Sequence, residues 1–111
     1  MNASERFSAI RKGLLEFAVL SVVGAHEAYA ADILARLSDT EFNTQEGTLY
    51  PLLSKLRRDE LVVYEWKESE NGPPRKYYRL TAKGRAALID AAQYSKELIS
   101  TLKSLGASGA D

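Results

Sequence analysis

The chain has 111 residues, of which 45% are hydrophobic and 27% are charged, and its formal net charge at pH 7 is zero. This length suits one domain with one hydrophobic core, and the composition is that of an ordinary globular protein. Because the chain contains no cysteine, disulfides, thiolate catalysis and cysteine redox sensing are excluded. A total charge of zero decides nothing about a polyanionic partner, so the position of each charge matters more.

Residues 4–23 are predicted to form the first helix, with Ser4 as its N-cap and Gly24 at its end. Apolar side chains run along nearly every side of this helix, and such a helix has to be covered on nearly every side. A small domain covers one face, so a second copy of the chain is the simplest cover for the other. The residues of this helix that we predict to form a homodimer interface are Phe7, Ile10, Leu14 and Phe17.

The same stretch has features of a secretory signal, with Arg11-Lys12 before an apolar run and Ala28-Tyr29-Ala30 after it. Glu16 lies within the apolar run, however, and the run is far shorter than the ~20 residues that a membrane span needs. We therefore expect a cytoplasmic protein that does not use a membrane as a partner.

Two further helices are predicted, at residues 29–37 and within residues 46–61, joined by a short polar turn. In the second of these, leucines recur at helical spacing and form an apolar stripe, made of Leu49, Leu52, Leu53 and Leu56. The opposite face carries slim and basic residues, namely Gly47, Pro51, Ser54 and Arg58, with Thr44 and Lys55 beside them. A helix with a slim, basic outer face after a short helix predicts a helix-turn-helix whose second helix reads DNA.

Pro51 leaves two possible starts for that helix. Asn43 is one candidate N-cap, with Glu46 as its reaching-back partner, and Pro51 would then bend the helix. Thr48 is the other, and Pro51 would then lie in the first turn, where a missing N–H does no harm.

After Leu61 the pattern alternates with a period of two, which predicts a strand at residues 62–67, a turn at 69–74 and a second strand at 75–80. A hairpin after a recognition helix is a wing, and residues 75–85 hold five basic groups and no acid. A solvated edge strand protected by charge is the alternative, but the preceding helix favours a wing that lies along a phosphate backbone. We expect Trp66 to pack at the base of this hairpin.

The last helix is predicted at residues 82–105, with Thr81 as its N-cap and residues 106–111 as a flexible tail. Its apolar seam follows the three-four spacing of a coiled coil, and the predicted dimer residues on it are Leu88, Ala91, Leu98, Leu102 and Leu105. The expected organisation is a winged helix-turn-helix domain at 1–81 and a dimerisation helix at 82–105. The fold class is mainly α with a small β-hairpin (α+β).

Two motifs resemble the PadR family of bacterial transcriptional regulators over residues 12–90. They are Gly47-Thr48-Leu49-Tyr50-Pro51-Leu52-Leu53 and Gly72-Pro73-Pro74-Arg75-Lys76-Tyr77-Tyr78-Arg79-Leu80-Thr81, the second followed by Lys83-Gly84. The chain is similar to the shorter members, which have a single C-terminal helix. It departs from the usual pattern at Ala31, where the family has a tyrosine.

The resemblance implies a homodimer that binds a palindromic operator, usually as a repressor, and that releases DNA on binding a small, often aromatic compound. Family contacts map onto Thr48, Tyr50 and Lys55 of the helix and onto Arg75 and Lys76 of the wing. The helical wheel adds Thr44, Gln45, Ser54 and Arg58 as DNA-binding candidates. Two recognition helices related by a dyad would meet half-sites about one turn of DNA apart.

There are three other interpretations of the sequence. A winged-helix module that binds protein instead of DNA is compatible with the neutral total charge. An enzyme is disfavoured, since the chain has no cysteine, a single histidine (His26, in a loop) and no metal-ligand spacing; neither a metal nor another cofactor is expected. An effector site between the long helices of the dimer would use aromatic residues for which plain packing is the stronger explanation: Phe7, Phe17, Trp66 and Tyr94.

Overall fold

The computed structural model describes residues 3–106, with side chains from residue 5 onward. In chain order, the described residues form α1 (Ala3–Arg6), α2 (Ser8–Ala25), α3 (Ala30–Leu37), α4 (Glu46–Arg58), β1 (Val62–Ser69), β2 (Gly72–Leu80) and α5 (Ala82–Ser104). The two strands pair in an antiparallel hairpin after the helix-turn-helix of α3 and α4. The predicted fold class, mainly α with a β-hairpin, is therefore confirmed.

The apolar stripe of α4 lies in the centre of the core. Leu49, Leu53 and Leu56 are buried, and Leu52 is half-buried against the same cluster. Each fully buried leucine contributes roughly 1.5–3 kcal/mol relative to an exposed one. Since this face is fixed by the core, the opposite face of α4 is fixed toward solvent.

The first helix differs from its prediction at both ends. Ser4 lies within the single turn of α1 rather than at a cap. The helical conformation is interrupted at Phe7 (φ −102°, ψ 12°) before α2 begins. At the other end α2 continues through Gly24 to Ala25. A Cβ at Gly24 would lie 2.9 Å from the Leu80 side chain and 3.1 Å from that of Leu88. The absence of a side chain at Gly24 therefore allows close packing against β2 and α5, and this glycine does not end the helix.

Both predicted starts of α4 are wrong, because Gln45 occupies the N-cap position and makes no side-chain capping bond. Its carbonyl accepts hydrogen bonds from the amides of Thr48 (3.0 Å) and Leu49 (2.9 Å). Thus Asn43 lies outside the helix and Thr48 lies inside it, as does Pro51. Pro51 has no N–H for the carbonyl of Gly47, but Gly47 is exposed, so water is able to satisfy that carbonyl.

The hairpin turn is shorter than predicted, since β1 extends to Ser69 and β2 already starts at Gly72. Pro73 and Pro74 thus belong to β2 instead of the turn. In a sheet of two strands each strand has one free edge, where a residue without an N–H is tolerated. The register, with Trp66 opposite Lys76 and Ser69 opposite Gly72, shifts between Lys67 and Ser69 at a bulge.

The last helix begins as predicted, because the Thr81 hydroxyl accepts a hydrogen bond from the amide of Gly84 (2.9 Å). Its last helical residue is Ser104, and Gly106 follows with a left-handed φ of 109°. The rest of the predicted tail, residues 107–111, lies outside the described residues. None of the helices within residues 3–106 is long and apolar enough to cross a membrane.

Candidate nucleic-acid interface

The solvent face of α4 is slim and polar. Gln45, Thr48, Ser54 and Arg58 are exposed, and Thr44, just before the helix, is half-buried. A Cβ at Gly47 would meet nothing within 4 Å. The helical wheel therefore placed this face correctly, and its first two turns offer few side chains that would keep a DNA groove away from the backbone.

Lys55, on the same helix, is held by two acids. Its Nζ lies 3.2 Å from Asp59 and 3.5 Å from Glu16 of α2. The hydrogen bond that Lys55 donates to the Asp59 carboxylate raises the pKa of Lys55, and the charge of Glu16 adds to the effect. The charge of the ammonium is therefore partly balanced by these acids, and a phosphate would compete with them for it.

The two wing cations predicted to contact DNA rest on aromatic rings. The guanidinium carbon of Arg75 lies 4.4 Å from the ring centroid of Tyr29, and the Nζ of Lys76 lies 4.6 Å from that of Tyr64 and 5.4 Å from that of Trp66. Within residues 5–106, neither cation has a carboxylate within ion-pair distance.

Other cations of the hairpin have acidic partners. Arg79 contacts Glu65 at 3.4 Å across the strands, and Lys67 forms an ion pair with Glu27 of the α2–α3 loop. The bond to Glu27 raises the pKa of Lys67. Arg75 and Lys76 are therefore the wing positions whose charge is most available to a phosphate.

A cleft of about 460 Å³, here called the wing cleft, lies between the start of α3, α4 and the hairpin. It is lined by aromatic, small and basic residues: Tyr29, Ala30, Ala31, Tyr50, Trp66, Pro74, Arg75, Lys76 and Tyr78. Burial raises the pKa of the Tyr78 hydroxyl above its ordinary value. The cleft brings together Tyr50, Arg75 and Lys76, three of the predicted DNA-binding residues.

The other predicted contacts lie outside the wing cleft. Thr44 and Thr48 line a smaller cleft of about 220 Å³, beside Arg11 and Lys12 of α2. Ser54, Lys55 and Arg58 follow further along α4. The structure thus divides the predicted residues between the two ends of α4 and the hairpin.

Sequence reasoning missed six of the nine residues that line the wing cleft, among them the aromatic residues Trp66 and Tyr29. Trp66 does not pack at the base of the wing as expected: it contacts Tyr64 edge-on (6.3 Å between centroids) but remains 59% exposed. Tyr29, predicted as the first residue of the second helix, is instead the N-cap residue of α3, where helical periodicity gives no information. A signal for Trp66 did exist, because strand alternation places it on the face of Tyr64, opposite Lys76 in the hairpin register.

A second surface, on α5 and the start of the chain, is apolar and exposed. Of the predicted dimer residues, Phe7, Ile10, Leu98, Leu102 and Leu105 are exposed, Leu14, Phe17 and Leu88 are half-buried, and Ala91 is buried within its own chain. Ile89, Tyr94 and Ile99 extend the exposed surface. Exposed apolar side chains in such number are typical of an interaction site.

Comparison with known proteins gives a consistent result. Residues 19–90 match the model of the transcriptional regulator PadR-like family. The chain is 35% identical over 80 residues to the transcriptional regulator Rv3488 of Mycobacterium tuberculosis (strain ATCC 25618 / H37Rv), covering 72% of this chain and 74% of that protein.

Solved structures of PadR-like regulators are also similar to this chain. A PadR-like transcription factor from Bacteroides fragilis is 43% identical, with a TM-score of 0.78 over 92% of this chain and 99% of its own. A PadR-like transcriptional regulator from Bacillus cereus strain ATCC 14579 is 33% identical, with a TM-score of 0.77 over 85% of this chain and 92% of its own.

Proposed function

Because the chain belongs to the PadR-like family of transcriptional regulators, we propose that it works as a homodimer on a palindromic operator and represses transcription from it. As a family member it is a DNA-binding regulator and not an enzyme. The mode of dimerisation, the operator symmetry, the repression and any response to a ligand are parts of this proposal.

The observation that carries the proposal is the position of the wing cleft beside the solvent face of α4. A slim helix face suits entry into a major groove, and cations free of acidic partners suit the adjacent phosphates. The residues that we propose as DNA contacts are Thr44, Gln45, Thr48, Tyr50, Ser54, Lys55, Arg58, Arg75 and Lys76. We expect Lys55 to contribute less than the two wing cations, since Glu16 and Asp59 already balance its charge.

The homodimer is supported by the exposed apolar side chains of α5 and the first residues of the chain. The exposed side chains are Leu98 and Leu102 on the last turns of α5, Leu105 directly after it, and Phe7 and Ile10 near the other end of the chain. A second copy is the simplest cover for them. We propose that residues 82–105 act as the dimerisation helix of the winged helix-turn-helix at 1–81. Two copies of α4 would then face successive major grooves about 34 Å apart.

A small aromatic effector is proposed to act between the long helices of the dimer. Phe7 and Tyr94 are exposed and Phe17 is half-buried, so aromatic surface is available there. Trp66 lines the wing cleft instead, so we omit it from this proposed effector site. An effector that binds there would release DNA by changing the separation of the two copies of α4.

The test is selection of binding sites from a random pool of duplex DNA with the full chain, followed by fluorescence anisotropy on the selected duplex. We expect an imperfect palindrome, and an affinity that falls linearly with salt on a log–log plot with a slope of about −0.9 for each phosphate contact. No duplex binding even in dilute buffer would contradict the proposal and favour a winged-helix module that binds protein.

A further inference from the structure

The loop before α3 is tied to the hairpin at successive residues. Glu27 forms an ion pair with Lys67, and Ala28 exchanges two backbone hydrogen bonds with Tyr78 (3.1 and 2.8 Å). Tyr29 then packs against Tyr77, with 5.2 Å between the ring centroids and 65° between the planes. The backbone on both sides of Tyr29 is thus fixed, by the bridge to β2 before it and by the first turn of α3 after it.

Arg75 contacts the ring of Tyr29 through its guanidinium group. Its guanidinium carbon lies 4.4 Å from the centroid of Tyr29, within the range of a cation–π contact. A guanidinium that stacks through its planar face keeps its edge N–H groups free, and these edges bind a phosphate in bidentate fashion. Arg75 itself is exposed, so the contact with Tyr29 restricts its conformations while its side chain stays accessible to solvent.

We propose that Tyr29 is a positioning residue for operator binding, which holds the guanidinium of Arg75 at the wing cleft so that its edge meets a backbone phosphate. The inference rests on the proposed function. Ordering the arginine before binding lowers the conformational entropy lost on contact. Tyr29 has this role because its own position does not depend on DNA, unlike that of an exposed side chain on the hairpin.

Two other roles for Tyr29 make different predictions. A direct contact would run through its hydroxyl, whereas positioning needs only the aromatic ring. A role in folding alone would lower the unfolding temperature and would act on binding whether or not Arg75 is present. Lys76 provides the matched control, because its cation–π contacts are with Tyr64 and Trp66 and not with Tyr29.

The experiment measures the affinity for the selected duplex of Tyr29→Leu, Tyr29→Phe and Arg75→Ala, and of Tyr29→Leu combined with Arg75→Ala or with Lys76→Ala. Tyr29→Leu keeps an apolar side chain but removes the ring, and we expect it to weaken binding roughly two- to fivefold for each half-site. Tyr29→Phe should bind like the wild type. The Leu substitution should have no further effect in the Arg75→Ala background and its full effect in the Lys76→Ala background.

The proposal is overturned if Tyr29→Phe is as weak as Tyr29→Leu, or if Tyr29→Leu acts equally in both backgrounds. Arg75→Lys, which leaves Tyr29 and the fold intact, gives a second test that holds even where Tyr29→Leu is unfolded. Lysine keeps the charge but lacks the planar group, so we expect weaker binding, and wild-type affinity would overturn the proposal. A wild-type chain that binds no duplex would instead remove the proposed function itself.

Discussion

The backbone of Gly84 lies directly against the carbonyl group of Leu61. A Cβ at Gly84 would be 1.9 Å from the Leu61 oxygen, and that oxygen also accepts a hydrogen bond from the amide of Thr81 (3.1 Å). The contact joins the residue before β1 to the first turn of α5, so it fixes the two ends of the hairpin together. Only a residue without a side chain fits there.

Replacing Gly84 by alanine should therefore destabilise the fold. The methyl group would meet main-chain atoms that have no rotamer to escape into, and we expect a loss of roughly 1–3 kcal/mol or more in the free energy of unfolding. Urea denaturation at fixed protein concentration measures the free energy of unfolding. Gly47→Ala is the matched control: with open space around its Cβ, it should stabilise α4 by about 0.5–1 kcal/mol. Equal stability of the two variants would contradict the prediction.

The same Gly47→Ala protein should bind its operator less tightly although it is more stable. Its methyl group would point from the slim face of α4 toward the groove, and overpacking of a fitted contact costs roughly 1–3 kcal/mol. Anisotropy on the selected duplex measures the affinity. Unchanged affinity would mean that this end of α4 does not approach the DNA closely.

Arg75→Ala should change the salt dependence of binding more than Lys55→Ala does. Loss of one phosphate contact lowers the log–log slope by about one for each half-site, and Arg75 has no acidic partner among residues 5–106. The positive charge of Lys55 is already balanced by Glu16 and Asp59, so its removal should lower the log–log slope by less. Salt titrations of both variants test this prediction. A larger change in slope for Lys55→Ala than for Arg75→Ala would contradict it.

The double substitution Leu98→Glu, Leu102→Glu should convert the protein to a folded monomer. Both side chains are about half exposed in the single chain, so the change should leave the core intact while placing four like charges across a dimer interface. Sedimentation velocity measures the assembly state and circular dichroism the fold. A variant that still sediments as a dimer would remove this part of α5 from the proposed interface.

Sequence periodicity predicted the structural features that depend on a local repeat of apolar residues. The buried leucines of α4 and the outward face opposite them follow from helical spacing alone, and Thr81 was recognisable as a cap because its hydroxyl bonds a nearby amide. Gly24 was misinterpreted as a helix end, since its neighbours Leu80 and Leu88 are distant in the chain. The Gln45 start of α4 carries no side-chain capping bond, so no residue type marks it.

The wing cleft was least predictable for a related reason. Tyr29 and Arg75 are 46 positions apart in the chain and meet only because Ala28 pairs with Tyr78. Trp66 lines the cleft between α4 and the hairpin and is 59% exposed, which depends on how these elements pack and not on either segment alone. The cations were visible in the sequence, and strand alternation also indicated that Trp66 lies beside Lys76, but nothing in the sequence indicated that Tyr29 supports Arg75.

Hydroxyl-radical footprinting of the selected operator tests the central claim most directly, namely that two copies of the chain present two α4 helices and two wings to one side of duplex DNA. We predict two protected patches on one face of the duplex, about 34 Å apart, with two chains bound to each duplex. A single isolated patch with one bound chain would contradict it.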